Sequence, residues 1–285
     1  MPDVRVSVVI PAFNAGHTLA RQLHALFRQE LTERWEIVVA DNRSTDDTAE
    51  VVRQVAQSAP VPIRLVAADR AQGANVARNV GVAAASGRLL LLVDADDEVC
   101  DGWLLSMVSE LEHHDCVAGS LRVQGPDSSW RRMVEDLEPK HGFLPSPSGG
   151  NCGFRRGVFD HLRGFDERFG AGNEDTEFFW RAQLEGFDVA LAANAEVTVH
   201  IGGSFKADCA RRRTYAAADP LLYKHFRLAG MPRSSTIGAL RQWAWLLKQF
   251  PRRSRSPDAA RHWAWVYAVR AGRLQGSITH RRVYL

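Results

Sequence analysis

Short runs rich in apolar and β-branched residues occupy positions 6–10, 36–40, 63–67 and 89–93. They show little polar–apolar alternation, as expected of strands buried on both faces. Between them, segments 16–29, 45–57 and 73–85 carry apolar positions at helical spacing. Three strand–helix units in succession predict a mainly parallel α/β sheet flanked by helices. The run 89–93, LLLLV, is then a central strand, and Asp94, Ala95, Asp96 and Asp97 emerge at its carboxyl end. In open α/β sheets that end is where ligands bind.

Beyond residue 115 the pattern changes. A fifth strand is expected over 116–123, followed by a polar, Pro- and Gly-rich loop region over 125–150. Residues 173–184 predict a helix opening on acidic side chains, which favour the positive end of a helix. Short strands are expected over 188–192 and 197–201, then a helical stretch over 205–228 with a break near Pro220. Two further helices, 235–250 and 257–273, are separated by PRRSRSP, in which Ser256-Pro257 makes a good helix start.

Composition narrows the class. The chain has 285 residues, 45% hydrophobic and 24% charged, the values of an ordinary globular protein able to bury a core. No apolar run approaches the ~20 residues that span a bilayer, and the N-terminus lacks the basic and apolar regions of a signal peptide. Cys100, Cys116, Cys152 and Cys209 have no paired spacing, so reduced, buried thiols in a cytoplasmic protein are expected. From residue 231 onward eleven basic residues face one acidic residue, Asp258, whereas the preceding part has 25 basic and 32 acidic residues. Such a split points to two surfaces with different partners. The expected division is a catalytic domain over 1–230 (nucleotide-binding half 1–123, acceptor half 124–230) and a basic helical extension over 231–285.

The acidic cluster after the fourth strand admits two readings. Carboxylates held at a strand end are hard oxygen ligands for Mg²⁺ or Mn²⁺, which can in turn hold a diphosphate. The same residues could instead form an acidic loop before a helix capped by Asp101. Other strand tips add to the pattern: IPAFNAG (10–16), ADNRSTDDT (40–48) and DRAQGANVARNVG (69–81). Each has a turn-and-cap explanation, but several on one sheet edge are harder to explain so. Asp41, at its strand tip, is well placed to accept a hydrogen bond from a base or ribose.

Taken in order, VSVVIPAFNAG, VVADNRSTDDT, GANVARNVGVAAASGRLLLLVDADD and GFDERFGAGNEDTEFFWR resemble glycosyltransferase family 2 over about residues 5–201. The resemblance implies the A-type nucleotide-diphospho-sugar transferase (GT-A) fold, a divalent metal, Mn²⁺ or Mg²⁺, and sugar transfer with inversion. It also implies residue roles. Pro11, Ala12, Phe13 and Asn14 would line a base pocket, with Asp41 holding the base edge, typically uracil. Asp69, Gly73 and Arg78 would complete the nucleotide site. Asp94 would bind ribose or metal-bound water, Ala95 would lie in the nucleotide site, and Asp96 would bind metal and diphosphate. Asp175, beside Glu174, would be the general base that deprotonates the acceptor hydroxyl. His200 would join the metal shell, and Gly150, Asn151 and Glu174 would lie by the donor sugar and acceptor.

The basic extension holds Trp243, Trp245, Trp263 and Trp265, half of the eight tryptophans. Helical spacing puts Ile237, Leu240, Trp243, Leu247 and Phe250 on one apolar face, with Arg241 and Lys248 off it. This pattern fits an interfacial helix on anionic lipid; the alternative is packing on the catalytic domain. No nucleic-acid-reading module accompanies the charge. Membrane contact would suit a lipid-linked acceptor at the inner face of a cell membrane, as in envelope polysaccharide assembly. The rival functions are a nucleotidyltransferase and a non-catalytic sugar-nucleotide-binding scaffold. IPAFNAG has no Lys or Arg to grip a triphosphate, which disfavours the former. The sequence leaves sugar, acceptor, linkage and oligomeric state open.

Overall fold

The structure, a computed structural model, describes residues 4–124, 130–132, 137–170, 172–200 and 204–285. The chain forms two compact units. The first comprises Met1–Pro139, Leu144–Gly170 and Glu174–Ile201; the second comprises Lys140–Phe143, Ala171–Asn173 and Gly202–Leu285.

In the first unit, strands β1 (Val6–Ala12), β2 (Trp35–Asp41), β3 (Ile63–Ala67) and β4 (Leu89–Val93) alternate with α1 (Leu19–Phe27), α2 (Thr48–Ala56) and α3 (Ala74–Ala84). The four strands pair in parallel in the order β3-β2-β1-β4, the sheet that the apolar runs predict. Alternate side chains of each strand enter different cores. Val8, Ile37 and Leu91 pack with Leu19, Leu23 and Leu26 of α1; Val9, Val38, Leu90 and Leu92 face Val82 of α3. Both faces are therefore dry, and that is why the runs read as continuous apolar stretches. Helices α1 and α2 start later than their periodicity suggests. Asn14 Oδ1 accepts from Thr45 N (2.8 Å), and Asp46 Oδ1 accepts from Thr48 N (3.1 Å), so side chains hold these residues in loops.

The next part of the unit departs from expectation. After β5 (Glu98–Val99), α4 (Trp103–Leu111), β6 (Cys116–Gln124), β7 (Trp130–Arg132), β8 (Pro139–Lys140) and β9 (Leu144–Pro145) comes β10 (Asn151–Arg155). β10 inserts antiparallel between β4 and β6, directly after the loop region expected over 125–150. Part of that expected loop, 125–129 and 133–136, lies outside the described residues. The two strands expected over 188–201 are one, β11 (Val189–Val199), whose register against β6 shifts between Ala192 and Glu196. The shift falls where the sequence suggested a gap; residue 201 itself lies outside the described residues. Behind β10, α5 (Arg156–Leu162) and α6 (Glu174–Leu184) close the second core. Phe154, Phe159, Phe165, Phe178 and Phe179 interlock there, with the Phe165 and Phe178 rings stacked at 4.3 Å. Each fully buried Phe contributes about 2 kcal/mol through burial alone, and together they fix the start of α6 against the sheet.

The second unit is helical: α7 (Phe205–Phe226), α8 (Thr236–Gln249), a 3₁₀ segment (Phe250–Arg255) and α9 (Pro257–Thr279). The break expected near Pro220 does not occur. A helix-interior proline costs about 3 kcal/mol, but Ala216, Pro220, Leu222, Tyr223 and Phe226 are all buried, and their packing outweighs it. Ser235 Oγ and Ser256 Oγ cap α8 and α9 by accepting from Gly238 N and Ala259 N. A methyl group on Gly272 or Gly276 would lie 2.2 or 2.1 Å from a carbonyl oxygen of α7, so only glycine allows α9 to approach so closely. The four tail tryptophans do not form an outward belt. Trp243 and Trp263 pack on Tyr267, Trp263 Nε1 donates to Leu246 O, and Trp265 Nε1 donates to Asp208. Their rings are half-buried because an indole offers both a large apolar surface and a donor to satisfy. No helix of the described residues is long and apolar enough to cross a membrane. The four cysteines are free thiols; Cys116 and Cys152 are buried, Cys100 and Cys209 half-buried.

Asp219 fastens this unit. Its buried carboxylate accepts from Asn173 Nδ2 (2.8 Å) and Arg273 Nε (2.8 Å), with His141 Nε2 at 3.4 Å. Burial alone would raise its pKa; His141, Arg273 and Asn173 outweigh that and hold it below the usual value. Asp219→Asn should therefore destabilise the chain by about 3 kcal/mol at neutral pH, as broken buried pairs do. A carboxylate with a depressed folded pKa stabilises above its unfolded value and loses that contribution as pH falls through the folded one. Denaturant titrations should thus show the gap fully at pH 6 and closing below 3.8; a gap independent of pH would contradict this account.

Candidate active site

Parallel strands end on one edge of the sheet, and there the loops after β1, β2 and β4 surround a cleft of about 590 Å³. Pro11, Ala12, Phe13, Asn14, Gly73, Asp94, Ala95 and Asp96 line it, together with Asn42, Gln72 and Thr18. Phe13 presents a half-exposed ring, an open apolar face suited to stacking. Asn14 adopts a left-handed backbone (φ 49°), stabilised by its contacts with Ser44 and Thr45. Sequence reasoning missed Asn42. Buried, it donates to Ala68 O and Ala71 O and accepts from Gly73 N at 2.8 Å, pinning the loop before α3 to the sheet edge. Its neighbour Asp41 drew attention as the strand tip, but Asn42 carries the loop.

At the end of β4, Asp94, Asp96 and Asp97 each offer a carboxylate oxygen, all within 4.8 Å of one another. Their backbone is held in place by α1: Gln22 Nε2 donates to Asp94 O and Arg21 donates to Asp96 O. Burial and the neighbouring carboxylates push Asp94 up to about 6, although 40% of its side chain still meets solvent. The same causes, against a hydrogen bond from the His200 main chain, push Asp97 up to about 8. Three hard oxygen donors repelling one another fit a divalent cation. Asp101 does not cap α4, whose N-cap is Gly102. His200 reaches this edge through its backbone, while its ring lies 3.7 Å from Glu98 and not within the three-carboxylate group.

Arg78 joins this cluster to the start of α6. Only 5% exposed, it donates to Glu174 Oε1 at 3.2 Å and lies 3.7 Å from Asp94 Oδ1. Burial would lower its pKa, but Asp94, Glu174 and Asp175 outweigh that and raise it. Asp175 Oδ2 accepts from Gly149 N (3.0 Å) and Oδ1 from Thr176 N (2.6 Å). A Cβ on Gly150 would lie 2.3 Å from Asp94 Oδ2, and one on Gly149 would lie 2.7 Å from Arg78, so the loop presses directly on the charged pair.

Other expected residues lie elsewhere. Asp69 is exposed on the loop after β3, and Asp41 sits half-buried at the β2 tip, accepting from Ser44 N at 3.1 Å. Neither is among the cleft-lining residues. Asn151 is fully buried within β10: its amide donates to Ser120 O and Ala195 O and accepts from Trp103 Nε1. With its amide engaged by β6, β11 and the α4 tryptophan, it has no polar atom left for the sugar contact expected of it.

A parallel sheet with a ligand-sized, acid-edged cleft at its carboxyl ends defines a doubly wound α/β binding architecture. Residues 7–163 match glycosyl transferase family 2, and residues 89–269 match glycosyl transferase family group 2. The chain belongs to glycosyltransferase family 2. It is 28% identical to the succinoglycan biosynthesis protein ExoO of Rhizobium meliloti, over 98% of this chain and 89% of that protein. It is 35% identical to the Escherichia coli UDP-Glc:alpha-D-GlcNAc-diphosphoundecaprenol beta-1,3-glucosyltransferase WfgD, over 34% of this chain and 37% of that one. The chain spans 40 to 46% of the length of several other curated relatives. Among solved structures, a mannosyltransferase from Pyrobaculum calidifontis in complex with GDP-Man and Mn²⁺ matches with a TM-score of 0.69. That likeness, at 18% identity over 95% of this chain and 86% of the other, shows the GT-A fold.

Proposed function

We propose that this enzyme transfers a sugar from a nucleotide-diphospho-sugar, a UDP-sugar, to a hydroxyl acceptor with inversion at the anomeric carbon. The observation that carries the reading is the convergence of Asp94, Asp96 and Asp97 with Asp175, joined through Arg78, beside the cleft. Phe13 stacks on the base. Asp94, Asp96 and Asp97 would hold Mn²⁺ or Mg²⁺, which would supply positive charge to offset that of the diphosphate leaving group. Asp175 accepts the proton of the attacking hydroxyl. Glu174 and Arg78 hold it in place, and Gly150, with no side chain, lets its loop close on Asp94. The solved neighbour's Mn²⁺ supports the metal assignment, and the undecaprenol-linked substrate in a relative's name supports a lipid-linked acceptor. Such an acceptor puts the enzyme at the inner face of the cell membrane, contacted through residues 231–285.

Incubation with UDP-sugars and Mn²⁺ should release UDP. A chelator should lower the rate at least 100-fold, and excess Mn²⁺ should restore it. Turnover that is indifferent to chelation, or confined to donors with another base, would overturn the metal or the uridine assignment respectively.

A further inference from the structure

The exposed apolar surface of the chain is concentrated in one place. Among the described residues, nine of the fourteen exposed large hydrophobic side chains lie between Leu228 and Val283. Three of them, Ile237 (63% exposed), Leu240 (69%) and Leu247 (76%), belong to α8. Their spacing of three and seven places them, with exposed Ala244, on a single stripe of that helix. The helix turns a different side inward: Ala239 and Leu246 are buried, and Leu246 O accepts from Trp263 of α9. The stripe is therefore not the core face of α8.

The charges beside it identify the occupant. Arg241 and Lys248, seven residues apart, run along one edge of the stripe, and both are exposed. Neither makes an ion pair among the described residues, and Asp258 is the sole acidic residue beyond 230. An apolar stripe bordered by unpaired cations complements a surface that is apolar inside and negative outside. We propose that α8 lies on an anionic bilayer with Ile237, Leu240 and Leu247 inserted between acyl chains and Arg241 and Lys248 at the phosphates. The inference rests on the membrane reading above and deepens it. The insertion is aliphatic; the tryptophans brace α8 against α9 from within.

Vesicles of phosphatidylglycerol and phosphatidylcholine, against phosphatidylcholine alone, test this by co-sedimentation of the full chain. The wild type should bind the anionic vesicles at least ten-fold more tightly. The double change Leu240→Gln and Leu247→Gln, at exposed positions that leave the fold intact, should weaken binding at least ten-fold. Arg241→Gln with Lys248→Gln should weaken it about ten-fold and remove the preference for anionic lipid. Unchanged thermal melting confirms that each variant is folded. If the wild type binds and the leucine variant binds equally well, the α8 assignment is wrong and the membrane reading survives. If the wild type does not bind, both fall; a dimer dissolved by the leucine changes, seen by sedimentation, would show that a second copy covers the stripe instead.

Discussion

Asp175→Asn is expected to lower the turnover number by about 10³-fold, the scale of a lost general base, with donor affinity nearly unchanged. The amide is the same size as the carboxylate, so the start of α6 keeps its position. What it loses is the ability to take a proton. One local penalty accompanies the change, because Asp175 accepts on both oxygens, from Gly149 N and Thr176 N, and an amide can satisfy only one of these donors. That penalty is about 1 kcal/mol of stability, too little to account for a thousand-fold loss of rate. The comparison that isolates the effect is Glu174→Gln. Glu174 accepts from Arg78 Nη1 at 3.2 Å and acts through position, so its replacement should affect the rate far less. Donor affinity by calorimetry and single-turnover rates for both variants provide the check. If Asp175→Asn retained more than a tenth of the wild-type rate, the base would have to be sought elsewhere.

How much of this was legible in the sequence depends on the range of the interactions involved. The strands β1, β2, β3 and β4 could be read because burial on both faces writes itself into consecutive residues. Asp94 and Asp96 were legible for the same reason: a charge cluster directly after LLLLV has few structural uses. β10 was not. Its sequence, NCGFR, has neither alternation nor β-branched residues, and its place between β4 and β6 arises from pairing with strands about 35 to 65 residues away. Asn151 was misread for that reason, since an Asn after two glycines looks like a loop until Trp103, Ser120 and Ala195 surround it. The tail helices were visible in their periodicity, but which face turns inward was not. Tryptophan suits a membrane interface and a helix–helix seam equally, and only tertiary contacts decide between them.

Arg78→Met should be the most destabilising change in the site, at about 3–5 kcal/mol. The guanidinium is 5% exposed and stands between Asp94 and Glu174, with Asp175 contributing to its field. A methionine fills much of the volume but leaves those carboxylates facing one another in a desolvated corner, and removing one partner of a buried ion cluster is costly for that reason. Arg78→Lys keeps the charge yet provides one compact ammonium where a planar fork reached two carboxylates, so it should recover part of the stability. It should not recover the rate. Gly149 packs directly on the guanidinium, and Gly149 N is the donor that holds Asp175. A side chain of different shape at position 78 therefore shifts the base, and misplacement of a reacting group by about 1 Å costs about 10²-fold in rate. Denaturant midpoints and turnover numbers for the two variants together separate charge from shape. A lysine variant with full stability and full activity would show that charge alone matters, and Arg78 would then be a counter-ion without any role in positioning Asp175.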